Sequence, residues 1–169
     1  SSDVCSSDLN KKTVEVINTD AEGRLILADA LAYGIATYKP RAIVDICTLT
    51  GAVVVALGKE RSGLMGNDEK LISSIEDIQE TSFEKVWQMP MDAAYKKLIK
   101  SDIADIKNSA GREAASITAA CFLQEFVGDT PWAHLDIAGT AFRSKACQLF
   151  PQGASGSGVQ LLTQFASTY

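Results

Sequence analysis

Two short apolar runs bounded by chain breakers constrain the fold of this chain more than any other feature. Residues 41–47 (Arg41, Ala42, Ile43, Val44, Asp45, Ile46, Cys47) follow Pro40, and residues 132–137 run from Trp132 to a stop at Ala138 and Gly139. Runs of that length and apolarity fit strands buried on both faces of a parallel or mixed sheet. Outside these runs the period changes. Leu25, Ala28, Leu31, Ala32 and Ile35 recur at helical spacing, so a helix of about 13 residues is expected, ended by Lys39 before Pro40 because the residue preceding proline disfavours the helical region. A second helix is expected over 114–127, with Ile117, Ala120, Cys121 and Phe122 inward and Gly128 and Asp129 as its stop.

The remaining pattern is consistent with this alternation. Residues 13–17 read as a β-branched strand. Residues 48–51 form a loop at the end of the 41–47 strand, where open α/β sheets hold ligands. Helices are expected over 52–57, 71–78, 93–99 and 159–165, with extended chain over 85–91 and a glycine turn at Gly153, Gly156 and Gly158. Strands alternating with helices give an α/β fold, a mixed β-sheet flanked by helices on both faces. At 169 residues the chain suits one domain that buries roughly two-thirds of its unfolded surface.

Composition narrows the function classes. A net charge of −5 speaks against a general polyanion binder, so no nucleic-acid partner is expected. No apolar run approaches the roughly 20 residues of a membrane span, and no export signal is visible. Cys5, Cys47, Cys121 and Cys147 lack the paired spacing of a zinc ribbon, and reduced thiols in a cytoplasmic protein are the expectation. The first nine residues repeat Ser-Ser-Asp without helical or strand periodicity. They look like a translated sequencing adapter joined to a truncated gene, which leaves residues 10–169 as the native part and places the true N-terminus upstream.

The chemistry concentrates in Asn18, Thr19, Asp20, Ala21, Glu22, Gly23, Arg24 and Leu25. Two carboxylates and a guanidinium stand at every second position. In an extended backbone, side chains at i, i+2 and i+4 leave on one face, so Asp20 and Glu22 can reach one cation cluster with Arg24 close behind, as a metal site with an anion holder requires, and Gly23 is then expected to turn the chain. The same spacing also fits a polar strand end followed by a solvated helix start. Residue by residue, His134 is a structural histidine inside an apolar strand, Cys47 and Cys121 are small core residues, and Asp102, Asp105 and Asp136 are hydrogen-bonding or surface groups. One histidine and no G-x-S-x-G elbow leave a serine hydrolase without support.

Residues 18–31, NTDAEGRLILADAL, resemble the signature of the leucine aminopeptidases, the cytosolic two-metal aminopeptidase family. Further similarities follow in that family's order: Asp45 to Ala52 (DICTLTGA), Trp87 to Pro90 (WQMP), Ala104-Asp105, Ser116 to Ala120 (SITAA) and Trp132 to Gly139 (WAHLDIAG). The resemblance implies a zinc-peptidase-like catalytic domain, truncated at its N-terminal side, that releases N-terminal leucine and other apolar residues from peptide substrates. It implies two divalent metal ions (Zn or Mn, with Mg or Co as further candidates), Glu22 touching both and Asp20 one. Arg24 is implied to hold a bicarbonate ion as general base. Thr48, Leu49, Gly51, Ala138 and Ala141 are implied to line the pocket for the first side chain, the small Ala141 leaving room for a bulky one.

The family's other metal ligands, a lysine and two aspartates, and a second catalytic lysine precede the signature and have no counterpart here. The resemblance implies a homohexamer for the full-length protein. With two of five ligand residues remaining, this part alone is expected to be inactive and, with an unpaired sheet edge and exposed apolar faces, poorly soluble. Two rival readings are a metal-free interaction module derived from the family and a two-metal hydrolase acting on another bond.

Overall fold

The computed structural model describes residues 3–6, 11–146 and 150–169. The chain begins with β1 (Asp3–Ser6), β2 (Thr13–Val16), α1 (Glu22–Tyr38), β3 (Ile43–Cys47) and α2 (Gly51–Leu57). It continues through β4 (Ser62–Gly66), α3 (Glu69–Ser82), β5 (Val86–Gln88), α4 (Ala93–Leu98) and β6 (Ile106–Lys107). Then come α5 (Ala115–Val127), β7 (Trp132–Asp136), β8 (Phe142–Arg143), β9 (Gly153–Ala154) and α6 (Val159–Thr168).

A four-stranded mixed sheet, in the order β3-β7-β4-β5, organises the molecule. β7 runs parallel to β3, with Asp45 opposite His134 and Cys47 opposite Asp136. It runs antiparallel to β4, which pairs parallel with β5. β3 and β5 are the edge strands of this sheet, each with a neighbour on one side only among the described residues. Successive residues of a strand face opposite sides, so Trp132, His134 and Asp136 share one face of β7 and Ala133 and Leu135 the other. The Trp132 face meets α1 and α5 in a core that includes Leu31, Ala120, Phe122 and Leu123. The opposite face meets α3 and α6 through Leu71, Ile75 and Leu161. Helices therefore cover both faces, as the alternating pattern predicts.

A smaller sheet joins β1, β2 and β6. β1 is antiparallel to β2, and β2 is parallel to β6. Asp3–Ser6 thus form a strand within the stretch set aside above as foreign, although their sequence shows no strand period. Residues 1, 2 and 7–9 of that stretch, and Cys147, lie outside the described residues.

Three local expectations are corrected. The motif is not extended: Thr19–Ala21 make a 3-10 turn and α1 begins at Glu22, giving 17 residues instead of about 13. Gly23 does not turn the chain but lies inside the first turn of α1, its bare Cα side 3.8 Å from Leu49 Cδ1 where a Cβ would stand. The third is an omission. Ser62–Gly66 form a strand whose first four residues are buried. With two glycines and no β-branched residue it carries no strand signature, and its burial between β7 and β5 supplies what propensity does not. Gly66 is required there, since a Cβ would stand 2.5 Å from the Trp132 carbonyl oxygen.

Candidate functional site

Three chain segments meet at the C-terminal end of β3 and β7. They are the 3-10 turn leading into α1, the loop from β3 to α2 and the turn after β7. The first is held from a distance in sequence by Asn108, which is fully buried. Its Oδ1 accepts from the amides of Ile17 (2.8 Å) and Asn18 (3.2 Å), and its Nδ2 donates to the Asn18 carbonyl at 2.7 Å. Asn18 in turn caps the 3-10 turn, its Oδ1 accepting from the Asp20 amide at 3.0 Å.

Asp20 and Glu22 stay at the surface, while Arg24 turns inward and is 7% exposed. The three expected to share one face therefore divide. Glu22 and Arg24 both lie in the first turn of α1, where residues two apart point to opposite sides, so the spacing that aligns side chains on a strand separates Arg24 from Glu22 here. Arg24 Nη1 donates to the Asn108 carbonyl at 2.6 Å, and its Nε is buried without a hydrogen-bond partner. Burial holds the guanidinium below its ordinary pKa, with attraction to Asp136 pulling the other way.

The second segment is the loop containing Thr48, Leu49 and Thr50. Thr48 is exposed, Leu49 half-buried and Thr50 buried. Thr50 caps α2 by accepting from the Val53 amide at 3.3 Å, and Gly51 opens the helix. An open hollow of about 680 Å³ lies between α2 and the start of α5, lined by Gly51, Ala52, Val55, Met89, Ala115 and Ile117 among others. Of the five residues expected to form a substrate pocket, Gly51 is the one that borders it.

The third segment turns tightly after β7, where the amides of Thr140 and Ala141 both donate to the Ile137 carbonyl, at 3.0 and 2.9 Å. Ala138 and Ala141 are half-buried on this turn. Gly139 passes so close to Gly58, just beyond α2, that a Cβ would overlap the Gly58 carbonyl oxygen.

Asp136 joins these segments. Fully buried at the end of β7, its Oδ1 accepts from the amides of Leu49 and Ala138, each at 3.2 Å, and its Oδ2 accepts from Thr50 Oγ1 at 2.6 Å. It is a hydrogen-bonding group, as the sequence suggests, but not a scattered one. Its position two residues before Ala138 at a strand end is the available sequence signal. Asn108 offers none, lying in a loop outside any motif.

One strand turn further into the sheet, Asp45 accepts from Trp132 Nε1 at 2.6 Å and pairs with His134 Nδ1 at 2.5 Å. His134 is fully buried and its Nε2 has no partner. It is a structural histidine, satisfied at one nitrogen. Cys121 is buried in the α5 core and Cys47 is half-buried, both free thiols. Asp105 is an exposed hydrogen-bonding group, accepting from both the amide and hydroxyl of Thr13 at 2.7 Å.

The donor set decides how far a metal fits. Asp20 and Glu22 are exposed carboxylates on adjacent turns, suited to divalent cations. Among the described residues no three His, Cys, Asp or Glu side chains gather as a metal cluster. Asp20 and Glu22 are two carboxylates, fewer donors than a closed metal site needs. An oxyanion fits Arg24 better, since its unpartnered Nε is a free buried donor.

The catalytic-domain model of the cytosol aminopeptidase family matches residues 1–163. This chain belongs to the cytosol aminopeptidase family. It is 54% identical over 156 residues to a probable cytosol aminopeptidase of Syntrophotalea carbinolica, covering 92% of this chain and 31% of that protein. A probable cytosol aminopeptidase of Brucella melitensis is also 54% identical over 156 residues, with 92% and 32% covered. One from Chelativorans is 49% identical over 163 residues, with 96% and 33% covered. The chain thus spans about a third of the length of the curated relatives it matches. Among the described residues, no helix is long and apolar enough to cross a membrane.

Proposed function

We propose that this chain is the part of a metal-dependent aminopeptidase that presents the substrate-facing loops, two metal-binding carboxylates and the anion-holding arginine. The observation that carries this reading is the convergence of the Asp20–Arg24 segment, the 48–51 loop and the 138–141 turn at one end of the sheet, in a chain of this family. Two divalent ions, Zn or Mn, would activate water and polarise the scissile carbonyl. Glu22 and Asp20 supply carboxylate oxygens to them, with the remaining donors coming from elsewhere in a longer protein. Arg24 holds bicarbonate: Nη1 is committed to Asn108, and the free Nε faces no competing partner. Thr48, Leu49, Gly51, Ala138 and Ala141 contact the first side chain of the peptide, with leucine and other apolar residues preferred. The longer protein is a homohexamer in the cytoplasm, and this chain alone is inactive.

The test is hydrolysis of leucyl-p-nitroanilide with added Mn or Zn, by this chain and by a version extended upstream. The extended protein is expected to cleave the anilide and to lose activity on Glu22→Ala, while this chain does not cleave. Failure of the extended protein with every metal would overturn the reading and favour a metal-free interaction module.

A further inference from the structure

We propose that Asp136 is a positioning residue that holds the two substrate-facing loops in register with each other through a buried relay running to α5. The inference rests on the aminopeptidase reading for what the loops do, though not for how they are held. One carboxylate oxygen takes the Leu49 and Ala138 amides together, so neither loop moves at that point without breaking a bond to the same atom. The other oxygen takes the Thr50 hydroxyl. A hydroxyl has one proton. With the Thr50 proton directed to Asp136, the 2.8 Å contact between Thr50 Oγ1 and Ser116 Oγ has Ser116 donating. The direction of the relay is therefore Ser116 to Thr50 to Asp136, and it fixes the β3–α2 loop against both β7 and α5.

Asp136 makes no ion pair among the described residues. Its buried charge is met by two amides and a hydroxyl, an arrangement that is costly unless every donor stays in place. That cost makes the clamp geometrically strict. Arg24 lies within reach of its field, so the carboxylate that ties the loops also attracts the guanidinium of the motif. None of the residues Ser116, Thr50 or Asp136 contacts substrate in this scheme. They act through Leu49 and Ala138.

The experiment compares Asp136→Asn, Thr50→Val and Thr50→Ser by amide hydrogen exchange on this chain, without metal or substrate. Asp136→Asn is expected to speed exchange at Leu49 and Ala138 together, about tenfold or more, with α3 and α6 unchanged. Thr50→Val is expected to act in the same direction and Thr50→Ser to restore protection, which keeps the test decisive if Asp136→Asn does not fold. Response of one amide without the other, or equal exchange in Thr50→Val and Thr50→Ser, overturns the proposal. In an active extended protein, Thr50→Val is further expected to raise KM for leucyl-p-nitroanilide more than it lowers kcat, with Thr50→Ser restoring it. Exchange that behaves as expected in a protein without activity leaves the clamp standing and removes the aminopeptidase reading, so the two failures are distinguishable.

Discussion

Arg24 Nη1 donates to the backbone carbonyl of Asn108 at 2.6 Å, across 84 positions of sequence. The same residue's side chain holds Ile17 and Asn18, so Asn108 fixes both the entry to the motif and its arginine. Only the side-chain part is open to substitution. Asn108→Ala leaves the Arg24 bond to the carbonyl and removes three bonds to the backbone of Ile17 and Asn18. Ile17 and Asn18 are exposed, and water replaces part of what is lost. The expected destabilisation is about 2–4 kcal/mol, read by urea unfolding. A loss below about 0.5 kcal/mol, the range of neutral surface changes, would mean that the turn holds itself without Asn108.

Gly139 tests the close approach of the turn after β7 to the end of α2. A methyl group at that position overlaps the Gly58 carbonyl oxygen, which is backbone and cannot rotate away. Gly139→Ala is expected to cost about 1–3 kcal/mol, as overpacking does in well-packed interiors. Because Ala138 and Ala141 flank the strain, their loop shifts with it. Thermal unfolding gives the first quantity, and the amide shift of Ala138 the second. An unchanged midpoint would show that the Gly58 turn gives way freely.

The long elements were legible because their apolar spacing is determined by burial. α5 and β7 carry ten and five buried residues, and both elements are expected from sequence, with Ile117, Ala120, Cys121 and Phe122 named as the inward side of α5. β4 was not legible, since its strand state depends on neighbours that arrive from β5 and β7. The motif itself is recognisable in the sequence, but its conformation is not. Carboxylates at two-residue spacing suggest a strand, yet Asn18 caps a turn and commits Asp20 to a helical path. Asp136 and Asn108 escaped a specific role for a related reason. What each does depends on partners 84 to 91 residues away in the chain, and no local period encodes such pairs.

Cys121 is a thiol inside the α5 core, and burial raises its pKa to about 11. The thiolate is the reactive form, and its fraction at pH 8 falls about a hundredfold when the pKa rises from 9 to 11. Iodoacetamide at pH 8 is therefore expected to label Cys121 in the folded chain at a hundredth or less of its rate in urea. Cys47, raised in the same direction by burial and then by Asp45 and Asp136, is expected to react slowly as well. Peptide mapping by mass spectrometry separates the two sites. Equal labelling of Cys121 with and without urea would contradict its place in the core.

Asp105 ties the loop before β6 to the start of β2, and its hydrogen bonds have a pH signature. The Thr13 amide, followed by the Thr13 hydroxyl, holds its carboxyl below the ordinary value of 3.8, with Lys12 adding a smaller pull in the same direction. A carboxyl depressed in the folded state contributes stability that is complete above its unfolded pKa. That contribution is lost as pH falls from about 4 through the lower folded value. Thr13→Val removes the hydroxyl and leaves the amide, so the Asp105 titration is expected to move upward without reaching the ordinary value. Carbon-detected NMR of the Asp105 carboxyl follows this directly. In parallel, Asp105→Asn is expected to flatten the dependence of unfolding stability on pH on the acid side of about 4, because the amide has no proton to take up. A titration unchanged by Thr13→Val would assign the whole depression to the backbone donor.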